Sequence, residues 1–73
     1  MEKFYLKNKD FKNAYVAEYD FISNYVAVLE TKEQRKALCF ENEDIAKRTV
    51  EFINEHSFLQ YEVIKEAVNC ENK

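Results

Sequence analysis

Glycine and proline are both missing from the 73 residues of the chain, and so is tryptophan. Without glycine, the chain has none of the glycine-rich loops that hold phosphate groups in P-loop and dinucleotide-binding proteins. Tight turns must also be made by other residues. The seven asparagines are the best substitutes, since asparagine tolerates left-handed backbone better than most residues. We therefore expect Asn, Asp, Ser and Lys to form the turns.

Histidine and cysteine, the usual residues of metal and nucleophilic sites, are scarce. Cys39, His56 and Cys70 are too far apart in the sequence for the paired clusters of a structural zinc site. Ser57 follows His56, but neighbouring side chains point in different directions, so no nucleophile and base are predicted. The acidic residues within 41–44 lack the spacing and the glycine of a calcium loop. The sequence predicts no catalytic, metal or cofactor site, and therefore no enzyme.

Long apolar segments are also lacking. The longest uninterrupted apolar run is 25–29, which is far too short to cross a membrane. The first residues do not resemble a signal peptide. Two cysteines without a secretory signal are typical of a reducing compartment. We expect a cytoplasmic protein that has no membrane partner and no disulfide.

Length and charge limit the remaining possibilities. A chain of 73 residues makes one domain, here 1–73 with 70–73 as a frayed tail, and its eleven aromatic residues supply a packed core. The net charge is −3. Nucleic-acid-binding proteins normally carry a basic stripe, and only four N-terminal lysines resemble one: Lys3, Lys7, Lys9 and Lys12. A nucleic-acid partner is therefore not expected.

The clearest predicted element is a helix from Glu43 to about His56. Asn42 is a good N-cap, and the acidic residues that follow it suit the positive end of the helix dipole. The residues on one helical face, which we expect to pack inward, are Ile45, Thr49, Phe52, Ile53 and His56.

Upstream of the helix, three aromatic and β-branched segments predict antiparallel strands near 4–6, 15–21 and 25–29, separated by turns at 8–10 and 23–24. A helical stripe also fits 11–29, but strands are preferred. Residues 37–40 suit a short strand, and 58–68 suits either a final strand or a helix, with the strand chosen. The fold class predicted is α+β: a small antiparallel sheet of three to four strands with one helix packed across it.

The run 25–29 has an unusual pattern for an antiparallel strand. Such a strand alternates apolar and polar residues when only one of its faces is covered, and it is continuously apolar when both are. One helix covers one face of a small sheet. The other face then needs the C-terminal segment, a second copy of the chain, or a foreign partner.

Residues 31–46 combine Thr31, a polar stretch, Ala37-x-x-Phe40, the Asn42 cap and a helix with Ala46 near its start. This pattern resembles small uncharacterised phage and prophage proteins, in which a β-hairpin leads into a capped helix. The segment 15–20 is similar to their second strand, although the glycine usual in the first hairpin is missing. The resemblance implies an origin in a mobile element and carries no catalytic residue.

The leading functional hypothesis is a small acidic phage-type protein that binds and inhibits a host protein by occlusion, as an anti-CRISPR or another anti-defence protein does. The candidate contact residues are Tyr15, Tyr19 and Tyr25 on the sheet and Glu51 and Glu55 on the helix, because tyrosines are enriched at interfaces. The first alternative is a nucleic-acid-binding accessory protein that uses the N-terminal lysines. The second is a self-associating structural protein, with a homodimer as its simplest form.

Overall fold

The computed structural model describes residues 2–67, which form five strands and one α-helix. In chain order, the elements are β1 (Glu2–Asn8), β2 (Tyr15–Ile22), β3 (Tyr25–Thr31), a 3₁₀ turn (Gln34–Lys36), β4 (Cys39–Phe40), α1 (Glu43–His56) and β5 (Tyr61–Ala67). All strand pairs are antiparallel, and α1 packs across the sheet. The predicted α+β fold is therefore confirmed. No helix within 2–67 is long and apolar enough to cross a membrane.

β1 is the central strand of the sheet. One of its edges pairs with β5 along its whole length. Its other edge is shared, since Lys7 lies opposite Tyr15 of β2 and Phe4 lies opposite Phe40 of β4. β2 pairs with β3 up to the turn, so most of this hairpin extends past β1 and the molecule measures 43 × 23 × 18 Å. We call residues 18–29 of this hairpin the arm.

The core lies between α1 and the inner face of the sheet. β1 shows the alternation expected of a half-covered strand, with every second residue buried from Phe4 to Asn8. The buried apolar side chains are Phe4, Leu6, Val16, Val26, Ala46, Val50, Ile53 and Tyr61. Leu38 and Phe40 flank this cluster, so the segment before the helix also closes the core.

α1 has the predicted start and end, and the Asn42 side chain accepts a hydrogen bond from the backbone N–H of Ile45 at 3.1 Å. The buried face matches the predicted one only at Ile53. Ala46, Val50 and Ile53 are buried, whereas Ile45 and Phe52 are 52% and 36% exposed. The two stripes are neighbours on the helix surface, and the 46/50/53 stripe is the one that packs on the sheet.

The turns are built from polar residues, as expected. Ser23 takes a left-handed backbone with φ of 58° in the two-residue turn between the paired residues Ile22 and Tyr25. At the β1–β2 connection, the Asn8 backbone N–H donates to the carbonyl of Ala14, and the Asn8 side chain accepts from the N–H of Asp10. At the β1–β2 connection, these local hydrogen bonds hold the turn without a glycine.

The two ambiguous segments are strands. The helical alternative for 11–29 is wrong, because 15–22 and 25–31 are paired strands, and the strand chosen for the C-terminal segment is confirmed over 61–67. Cys39 is exposed. It lies opposite Tyr5, which faces away from the helix, while Leu38 and Phe40 face inward. Cys70 and the frayed tail at 70–73 lie outside the described residues.

Candidate functional site

The apolar run that stood out in the sequence is covered on one side only. Val26 is 2% exposed and Val28 packs on the core, whereas Tyr25 and Leu29 are 45% and 59% exposed. β5 pairs with the edge of β1 that faces away from β2 and β3, so it lies at the opposite edge of the sheet from β3. Within residues 2–67, therefore, no helix or strand packs on the outer side of this run.

Aromatic side chains gather where the turn of the arm meets the C-terminal end of α1. The ring centroid of Phe21 lies 5.4 Å from that of Phe52 and 5.2 Å from that of His56, which is itself 4.8 Å from Phe52. Across the turn, Tyr25 lies 6.0 Å from Phe58. We call these five residues the tip patch. Phe21 is 52% exposed and Phe58 is 92% exposed, so both rings present most of their surface to solvent.

His56 and Ser57 have structural partners. The Nδ1 of His56 lies 2.9 Å from the carbonyl oxygen of Phe52, so its N–H satisfies one of the last carbonyls of the helix. The Ser57 hydroxyl accepts from the backbone N–H of Leu59 at 3.2 Å. Among residues 2–67, no group of three or more His, Cys, Asp or Glu is placed to hold a metal ion. The chemistry that the tip patch offers is apolar and aromatic contact.

The predicted contact residues do not form one surface. Tyr15 faces the outer side of the sheet next to Tyr5, at a centroid distance of 6.4 Å. It lies opposite Thr31, and Tyr25 is six residues along β3 from there, or roughly 20 Å at 3.3 Å per residue. Tyr19 is opposite Val28 on the inner side of the arm.

Of the five predicted residues, only Tyr25 belongs to the tip patch. Glu51 and Glu55 are exposed on α1, next in sequence to two members of the patch. Phe21, Phe52 and Phe58 were not among the predicted contacts. The available signal was the density of aromatic residues around a tight turn and a helix end, where a small sheet has little core to bury them.

A buried polar cluster, also missed by sequence reasoning, fixes the base of the arm. The Oε2 atom of Glu30 accepts from the Tyr61 hydroxyl at 2.6 Å and from the Asn8 side-chain amide at 3.0 Å. Asn8 and Tyr61 are 0% and 1% exposed. Burial and the Glu30 carboxylate raise the pKa of the Tyr61 phenol above its usual value. The cluster links β3 to β1 and β5, although β3 is not their neighbour in the sheet.

Two of the four N-terminal lysines lie beside carboxylates. Lys3 and Lys7 lie on the outer face of β1, where their ammonium groups are 3.6 Å from Glu41 and 4.0 Å from Glu62. Nearby carboxylates reduce the positive potential that a nucleic-acid backbone requires. The geometry of β1 therefore does not favour the nucleic-acid alternative.

Comparison of the chain with models of protein families, with curated proteins and with solved structures found no match.

Proposed function

We propose that this protein is a non-catalytic binding protein that docks on another protein through the tip patch and acts by occlusion. One observation supports this more than any other: five aromatic side chains are grouped at one end of the molecule, with Phe58 92% exposed. Exposed apolar side chains that occur singly are ordinary, whereas groups of them, here Phe21–Phe52–His56 and Tyr25–Phe58, are typical of an interaction surface.

The composition of the patch suits protein recognition. Aromatic rings bury a large area at low cost in side-chain entropy, and they are over-represented among the residues that dominate binding energy. Glu51 and Glu55 are exposed on α1 next in sequence to Phe52 and His56, so they add negative charge near the patch. A partner with an apolar pocket bordered by basic side chains matches this arrangement.

The resemblance to phage and prophage proteins supplies the biological setting of the proposal. In that setting the partner is a host protein, and occlusion of its surface inhibits it, as an anti-CRISPR or another anti-defence protein does. The polar contacts of His56 and Ser57 within the chain agree with a role that depends on binding rather than on chemistry.

The proposal is tested by replacing one ring of the patch. Because Phe58 is almost fully exposed, F58S should leave the fold intact while it removes apolar contact from the interface. Phe11, which is 58% exposed and outside the patch, provides a matched control as F11S. Immobilised wild-type protein, F58S and F11S are incubated with bacterial lysate, and the retained proteins are quantified by mass spectrometry.

We expect a protein that wild type and F11S retain equally and that F58S retains at least tenfold less, because loss of a central aromatic contact costs about 2 kcal/mol. Circular dichroism of the three proteins should be the same. Equal retention of that protein by F58S and wild type would contradict docking through the tip patch.

A further inference from the structure

β3 is an edge strand with a free side. It pairs with β2 only, and within residues 2–67 the turn, loop and side-chain hydrogen bonds include none to the backbone of 25–31. In a two-residue hairpin, the residues that flank the turn, here Ile22 and Tyr25, form a hydrogen-bonded pair. Alternation along the strand then directs the N–H and C=O groups of Val26, Val28 and Glu30 toward the free side. These groups form a regular set of unused donors and acceptors.

This edge has little of the usual protection against pairing, since its one charged residue is Glu30, whose carboxylate is held by Tyr61 and Asn8. Natural edge strands are blocked by charged residues, proline or a bulge. Residues 25–29 are uncharged and contain no proline, and β3 is regular, since the extra residue of the β2–β3 ladder lies in β2 between Val16 and Glu18. The opposite edge strand, β5, carries Glu62, Lys65 and Glu66. Among residues 2–67, β3 is therefore the less protected of the two seven-residue edge strands.

We infer that the free edge of β3 pairs with β3 of a second copy of the chain, antiparallel, on a two-fold axis beside Val28. In this register, the outward N–H and C=O groups of one strand lie opposite those of the other. Val28 then faces Val28 of the second copy, and Val26 faces Glu30. It is also the register that pairs all seven residues of the strand, because Val28 is its midpoint.

The side chains agree with this register. Glu30, the only charged residue of β3, falls opposite a valine, so no like charges stand directly opposite each other. On the outer face, Leu29 falls opposite Ala27 of the second copy, which covers part of a side chain that is 59% exposed in one chain. Tyr25 falls opposite Thr31. A strand that complements itself in this way favours its own copy over a foreign strand.

The dimer leaves four of the five tip-patch residues outside the paired strands, and Tyr25 is the one that lies in them. Antiparallel pairing places residue 25 of each copy next to residue 31 of the other, so the two patches lie at opposite ends of the joined strands. The dimer would therefore present two docking surfaces, and its existence does not depend on the proposed function.

Sedimentation equilibrium between about 5 µM and 1 mM tests the inference. We expect a mass that rises from one chain toward two, and slower amide exchange of Val26 and Val28 as concentration rises. L29K adds two lysines near the axis and removes an apolar contact, so its dissociation constant should rise at least tenfold. I45K makes the same change at a similarly exposed position on α1 and should match wild type, as should F58S.

A mass of one chain at every concentration would overturn the inference. So would a dimer that L29K, folded as judged by circular dichroism, does not weaken. A dimer in which the Val26 and Val28 amides exchange as fast as in the monomer would also overturn it, because association would then use another surface.

Discussion

Glu30 breaks the pattern of its strand for a structural reason. It follows Val26 and Val28 on the inner side of β3, where an apolar residue would be expected, and it accepts hydrogen bonds from Tyr61 and Asn8. Sequence reasoning could not find this cluster, because the two donors lie 31 and 22 positions from Glu30 along the chain. Only the folded sheet brings them together.

Y61F should destabilise the protein. The substitution keeps the ring and removes the hydroxyl that donates to Glu30, and a hydrogen bond to a charged acceptor contributes about 1.5–3 kcal/mol. Urea denaturation at neutral pH should show a loss of this size. Y19F, at a more exposed tyrosine, should change the free energy of unfolding by less than about 0.5 kcal/mol.

Y61F should also change how the stability of the protein depends on pH above neutrality. Because burial and Glu30 raise the pKa of Tyr61, the unfolded chain releases this proton near pH 10 while the folded chain still holds it. Stability should therefore fall as pH rises above about 10. Burial raises the pKa of Tyr5 too, so Y61F should reduce the fall without abolishing it. Identical pH profiles for Y61F and wild type would contradict this assignment.

A substitution at Ser23 should change the free energy of unfolding in a known direction. Left-handed backbone costs a residue other than glycine about 1–2 kcal/mol, and glycine costs about 0.5–1 kcal/mol in chain entropy. S23G should therefore raise the free energy of unfolding by about 0.5–1 kcal/mol, measured by urea denaturation. N24G, at the neighbouring position with ordinary φ, should give no gain. Equal effects of the two substitutions would argue against strain at Ser23.

The helix and the strands differ in how far the sequence determines them. α1 was predictable because its cap, its acidic first turn and its periodicity are all local. Its buried face was not, since Ile45 and Phe52 appear better suited to a core than Ala46 and Val50 do. Packing decides between these neighbouring stripes, and here Phe52 contacts Phe21 of the arm instead of entering the core.

The β-bulge in β2 explains why the predicted tyrosines separate. Regular alternation from Tyr15 would place Tyr19 and Phe21 on the same side as Tyr15. The extra residue between Val16 and Glu18 reverses the later side chains, so Tyr15 faces outward while Tyr19 and Phe21 face the inner side. No residue in this segment marks the bulge, because it contains neither glycine nor proline.

At the scale of the whole molecule, the exposed apolar side chains and the unpaired strand edge lie on the β2–β3 side. β5 is charged and forms a protected edge, and α1 covers the inner face of the sheet. The arm extends beyond β1, carries a bare edge and exposed apolar side chains, and contributes Phe21 and Tyr25 to the tip patch. The sequence predicted that 25–29 would need a cover. It could not show which side chains stay open, because that depends on the bulge and on the path of β5.

The central claim is that one copy of the chain leaves this surface open to solvent. Paramagnetic relaxation by a neutral, soluble probe measures this directly on side-chain protons at low protein concentration. We expect strong relaxation of the Leu29 methyl groups and of the Tyr25 and Phe58 rings, and weak relaxation of Val26 and Ile53. Relaxation of Leu29 and Phe58 as weak as that of Ile53 would show that the chain covers them itself, and would contradict the account.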